Sequence, residues 1–91
     1  MPMETNAVGY VPLGFQTLSP VAATLLTPPA GARVAVMSAT TAAVSWRDDG
    51  VAPTAAVGIQ IPAGTTFQYA GNLFTFQAIS ATGTLNVSYY R

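Results

Sequence analysis

Arg33-Val34-Ala35-Val36-Met37-Ser38-Ala39, then Ala42-Ala43-Val44-Ser45-Trp46-Arg47 and at once Asp48-Asp49-Gly50, is the stretch that decides the fold. In an extended chain, successive side chains point to opposite faces. The first run therefore sets Val34 and Val36 on one face and Ala35 and Met37 on the other. The second sets Val44 and Trp46 against Ala43, Ser45 and Arg47. Both runs carry the small and β-branched residues that suit closely packed strands. Asp48-Asp49-Gly50 then supplies turn chemistry: Asp side chains cap nearby backbone N–H groups, and Gly accepts a positive φ.

Toward the C-terminus the same rhythm continues. Val57 to Ile61 places Val57, Ile59 and Ile61 in register, and Pro62-Ala63-Gly64 makes a tight turn. Thr65 to Tyr69 presents Phe67 and Tyr69 together, and Gly71-Asn72 turns the chain again. Leu73 to Ser80 alternates Phe74, Phe76 and Ala78 against Leu73, Thr75, Gln77 and Ile79. After Ala81-Thr82-Gly83, Leu85, Val87 and Tyr89 share one face. Connections of hairpin length dominate this half and predict antiparallel neighbours with local pairing.

Toward the N-terminus, Thr27-Pro28-Pro29-Ala30-Gly31 is a loop. Leu18 to Leu26 is a second strand or a loose turn. Val11, Leu13 and Phe15 alternate, with Pro12 on the opposite face, which predicts an edge strand. Residues 1–10 are polar or small without a period. They read as an N-terminal arm that either frays or orders against a neighbouring subunit. Residues 11–91 read as a single β domain. Seven Pro and eight Gly leave no long helix and cut the chain into short segments. The expectation is an all-β fold, a small antiparallel β-sandwich or barrel of about seven or eight short strands, with an N-terminal arm.

Charge is the compositional signal. Glu4, Arg33, Arg47, Asp48, Asp49 and Arg91 are the only charged residues, 7% of 91, with a formal net charge of zero. An ordinary domain carries roughly 25%. Ordinary monomers also stay dispersed by keeping net charge away from zero. At 51% hydrophobic, this chain suits a surface packed against other protein. A short chain buries a modest core, and without Cys or His neither disulfide nor zinc can supplement it. Oligomerisation is the support left open, so a homo-oligomer, trimer or dimer, is expected.

Other partners and locations are bounded by the same residues. Three Arg and no Lys form no basic stripe for nucleic acid. No apolar run approaches the roughly 20 residues of a spanning helix, because Val21 to Val36 is interrupted by Thr24, Thr27, Pro28, Pro29, Gly31 and Arg33. No amphipathic face suits a membrane surface. The start carries Glu4 and no positive n-region, unlike a secretory signal. A chain without Cys is compatible with the cytoplasm.

Catalytic and cofactor chemistry find few residues. Without His, Ser45 has only a turn carboxylate as a base. Asp48 and Asp49 are adjacent and, if extended, point opposite ways, unlike acids converging across a cleft. Two adjacent Asp do not supply the 6–8 oxygens of a calcium site. No enzyme, cofactor or metal is therefore expected, and Arg47, Asp48, Asp49 and Gly50 read as a structural turn. Trp46, Phe67, Tyr69, Phe74 and Phe76 could form a stacking platform, although alternating strand aromatics are more often core. Tyr10, Tyr89, Tyr90 and Arg91 lie near the chain ends, where rings cover a partner while hydroxyls stay wet. They are the candidate subunit-interface residues.

One set of residues also carries a resemblance. Trp46-Arg47-Asp48-Asp49-Gly50, Pro53-Thr54, Gly58, Ile61-Pro62-Ala63-Gly64 and Leu85-Asn86-Val87-Ser88-Tyr89-Tyr90-Arg91 resemble short structural proteins of tailed bacteriophages and prophages. The resemblance covers 44–91 and not the N-terminal third. It implies a virion structural role, first a capsid cement or decoration protein bridging subunits of the major capsid protein. It implies a place on the capsid surface of the virion, with assembly in the host cytoplasm, and it transfers no catalytic residue. The alternatives are a receptor- or glycan-binding head-fibre or tail-spike module, or a tail or neck component.

Overall fold

A computed structural model describes residues 10–91. Eight strands run β1 (Pro12–Leu18), β2 (Thr24–Leu25), β3 (Val34–Thr40), β4 (Val44–Arg47), β5 (Ile59–Ile61), β6 (Thr66–Tyr69), β7 (Gln77–Ile79) and β8 (Thr84–Tyr90), with no helix among the described residues. They form two four-stranded antiparallel sheets, β1-β8-β3-β6 and β2-β7-β4-β5. The fold is all-β, and of sandwich and barrel it is the sandwich. Apart from Tyr10, the expected arm lies outside the described residues.

The pairings explain the order. β1 pairs with β8, β2 with β7, β3 with β6 and β4 with β5. This is one long antiparallel hairpin whose tip is the β4–β5 connection. Rolling it brings β3 beside β8 and β4 beside β7, the two remaining pairings. Eight strands wound this way make a jelly roll.

Rolling also overturns one expectation. Only β4 and β5 are both consecutive and paired; every other connection crosses between sheets. The short links at Pro62-Ala63-Gly64 and Ala81-Thr82-Gly83 are corners, not hairpins. Each sheet is apolar on one face, and crossing lays the two apolar faces together. Thr41, in the β3–β4 corner, takes φ 77, a conformation a β-branched residue rarely adopts.

The core follows the register. Ala35, Met37 and Ala39 on β3 oppose Tyr89, Val87 and Leu85 on β8, small beside large. Val44, Ile61 and Ala78 meet them from the other sheet, with Leu73 and Phe76 from the β6–β7 connection. Trp46 is half-buried, stacked on Phe76 at 4.7 Å and met edge-on by Tyr69 at 5.5 Å.

Several residues differ from their sequence-based faces. Tyr89 is 1% exposed, a core residue and not an interface residue. Its hydroxyl donates to Gln16 Oε1, so the ring is buried without leaving its polar end unpaired. Phe15 does not share a face with an inward Leu13. An irregularity between Pro12 and Gly14 shifts the register, so Leu13 packs on the core while Phe15 is 68% exposed. Leu73 to Ser80 is not one strand. Thr75 N–H donates to the Asn72 carbonyl, and Phe74 N–H to Asn72 Oδ1. That turn sends both Leu73 and Phe76 inward and leaves Phe74 64% exposed. Val57 lies before β5 in a loop and is also exposed.

Candidate functional site

The charges sort by position in the roll. Arg33 precedes β3, Arg91 follows β8, and Arg47, Asp48 and Asp49 leave β4. Val34 and Tyr90 pair at the first two sites, and Tyr69, two strands across, reaches Asp48. All five described charges therefore stand at one end of the sandwich. Four connections, 19–23, 41–43, 62–65 and 80–83, gather at the other. Ser80 N–H donates to the Pro20 carbonyl, Ser80 Oγ to the Ala43 carbonyl, and Gly64 N–H to the Ala39 carbonyl. These connections contain only Ser, Pro, Val, Ala, Thr and Gly.

The charged turn is internally paired. The Arg47 guanidinium donates through Nε and Nη2 to both carboxylate oxygens of Asp49. These bonds hold the Asp49 carboxyl below its usual range and raise Arg47. Asp48 Oδ2 accepts from Tyr69 at 2.6 Å, and the Asp48 carbonyl accepts from Thr75 Oγ1 at 2.7 Å. Burial first, and the Asp48 carboxylate second, push the Tyr69 hydroxyl up. Gly50, at φ 84, completes the turn in the conformation glycine permits. Both carboxylates thus serve local bonds, and no group of three metal-ligating side chains occurs among the described residues.

The outer face of the β1-β8-β3-β6 sheet is of a different character. Its cross-strand rows read Phe15–Ser88–Val36–Gln68 and Thr17–Asn86–Ser38–Thr66. Pro12, Tyr90 and Val34 follow at the charged end, and Thr84 and Thr40 at the other. Among the described residues, no charged side chain stands in these rows of the face. Its central polar contact is Thr17 Oγ1 donating to Asn86 Oδ1 at 3.1 Å. The opposite sheet face is occupied from within the chain: Gln60 Nε2 donates to Ser45 Oγ and to the Ala55 carbonyl, tying the β4–β5 loop over it.

A groove opens where β5 and β6 end their sheets. One part, about 520 Å³, is lined by Trp46, Arg47, Asp48, Asp49, Val57, Gly58 and Ile59. A second, about 160 Å³, continues past Trp46 along Ile59, Gln60, Ile61 and Phe67. Gly58 allows the loop to close on Trp46: a Cβ there would lie 3.0 Å from the Trp46 carbonyl oxygen.

The expected interface residues do not form one patch. Tyr10 and Arg91 are exposed, Tyr90 is half-buried on the outer face, and Tyr89 is in the core. Val11 and Arg91 exchange both backbone hydrogen bonds, which extends the β1–β8 edge past the strand ends. The platform aromatics divide likewise: Trp46, Phe67, Tyr69 and Phe76 cluster, and Phe74 stands apart. Charge-poor sheet faces follow from the placement of the charges in the sequence, but the rows that compose this face do not, because strand partners far apart in the chain build them. No protein-family model, no curated protein and no solved structure matches this chain.

Proposed function

We propose that this chain is a bacteriophage virion structural protein, a capsid cement or decoration protein that bridges major capsid subunits. The observation that carries this reading is the charge-free outer face of the β1-β8-β3-β6 sheet, set beside five charges gathered at one end. Burying an unpaired charge in an interface is costly, and protein interface cores are depleted in charge. A face of Thr, Ser, Asn, Gln, Val and Phe makes broad contact without that cost. A capsid lattice presents several subunits at once, so modest contacts add through effective concentration. The resemblance of 44–91 to tailed-phage structural proteins points the same way. Jelly rolls serve viral capsid and lectin domains alike, so the fold supports the reading only by analogy. The chain would work on the capsid surface, after assembly in the host cytoplasm, without catalysis or cofactor.

The test is quantitative mass spectrometry of purified particles. Cement predicts a copy number stoichiometric with the capsid lattice. Absence from particles contradicts it, and a count matching one vertex favours a tail or neck component.

A second reading, a receptor- or glycan-binding module, is favoured by one feature: Trp46 beside Arg47 and Asp48 in the larger part of the groove. A glycan array is its test. Binding lost on Trp46→Ala in a folded chain supports it, and an array without binders removes it.

A further inference from the structure

The two sides of the sandwich differ. On the β1/β2 side, Leu18 and Leu26 are buried, and the β1 edge is managed. Pro12 opens the strand, a bulge interrupts it, and Thr27 N–H donates to Gln16 Oε1 from the adjoining loop. β2 is two residues long. These are the devices by which sheets blunt exposed edges.

On the β5/β6 side β5 is also short, three residues before Pro62, but neither strand is bulged. Ile59-Gln60-Ile61 and Thr66-Phe67-Gln68-Tyr69 contain no Pro and no charge, and each ends its sheet. Ile59 lies on the core face of its strand, in register with Trp46, yet is 59% exposed. Phe67 is half-buried, and the narrower part of the groove runs between them. Among the described residues the core is incompletely covered here, next to strand backbone that no other described strand pairs.

We propose that a second copy of this chain covers this side, packed on a two-fold axis with β5 antiparallel to β5. A two-fold axis sets each surface against itself, so any charge off the axis must find a partner in the same patch. With Gln60 on the axis, Ile59 of one copy faces Ile61 of the other, on the core side of both strands. Ile61 is already buried in its own core, so what the pairing covers is the exposed Ile59 of each copy, and the unpaired β5 edges complete each other's ladder. Pro62, which lacks an N–H, ends the pairing. The antiparallel arrangement also puts the charged end of each copy beside the charge-free end of its partner, so like charges stay apart. A standard interface takes about 800 Å² per partner, roughly a sixth of the 4730 Å² this chain exposes. The groove, its rim and the loop before β5 lie together on this side.

The dimer is a property of the purified chain and stands or falls apart from the virion reading. The full chain is sedimented at micromolar concentration, alone and as Ile59→Lys and Phe15→Lys, with circular dichroism for each. We expect a dimer for the wild type and for Phe15→Lys, and a folded monomer for Ile59→Lys, because an inward charge blocks an edge strand. A second variant covers the case where Ile59→Lys misfolds. The chain has no Cys, so Gln60→Cys carries a single thiol at the axis, where directly paired strand positions stand about 4.5–5.5 Å apart at Cβ. It should form an intermolecular disulfide on mild oxidation, and Phe15→Cys should not. A wild-type monomer or trimer, a dimer indifferent to Ile59→Lys, or no disulfide at Gln60→Cys overturns the proposal.

Discussion

Tyr69, on an outer strand of one sheet, donates its hydroxyl at 2.6 Å to Asp48, in the turn that leaves the other sheet. The bond spans the core at the charged end. It joins the edge strand β6 to the loop that carries Arg47 and Asp49.

Tyr69→Phe removes that bond and keeps the ring against Trp46 and Phe76. A hydrogen bond to a charged group is worth about 1.5–3 kcal/mol, and the exposure of Asp48 sets the expectation near the lower bound. Urea unfolding should show this loss for Tyr69→Phe and a comparable one for Asp48→Ala. The double variant should lose little more than either, because both remove one interaction. Fully additive losses would show that the two residues act independently.

Alkaline pH should unfold the chain through its buried tyrosines. Burial pushes Tyr89 up to about 12, and Tyr69 is raised as well. A raised pKa in the fold contributes stability that is fully present below the unfolded value, roughly 10 for tyrosine, and is lost as pH rises through the folded one. Stability should hold to about pH 10 and then fall steeply. Tyr89→Phe should flatten that fall in urea melts taken across the range. A wild-type stability unchanged up to pH 12 contradicts the burial of these hydroxyls.

Gly58→Ala should destabilise by roughly 1–3 kcal/mol, the scale of local backbone strain. Gly58 has φ 151, and its new Cβ would meet the Trp46 carbonyl oxygen at 3.0 Å. The loop must lift from the strand, which should alter Trp46 fluorescence along with stability. An alanine variant with unchanged melting and emission would show that this loop does not press on β4.

How much of this was legible in the sequence depended on how local the cause was. The alternation in 33–39, 42–47 and 85–89 gave those strands directly, and the Asp48-Asp49-Gly50 turn followed from residue type. Phe15 was misplaced because a one-residue irregularity at Leu13 reverses every later face, and Pro12-Leu13-Gly14 was its only signal. Phe74 was misplaced because an Asn72 turn resembles strand alternation over four residues. Tyr89 was assigned to an interface from its position near the chain end, while its partners Ala35 and Gly14 lie far away in sequence. The crossing of short connections from sheet to sheet depends on the whole roll, and no single turn encodes it. Charge poverty was visible at once, but its division into a charged end and a charge-free face required the cross-strand register.

The central claim is that the charge-free sheet face holds this chain to a capsid. The direct measurement is rebinding of purified chain to particles stripped of it, comparing wild type with Phe15→Lys and Ser88→Lys. Both side chains lie on that face outside the core, so the variants should fold and melt as the wild type does. The account predicts saturable wild-type binding at lattice stoichiometry and its loss in both variants. Folded variants that bind as well as the wild type would contradict it.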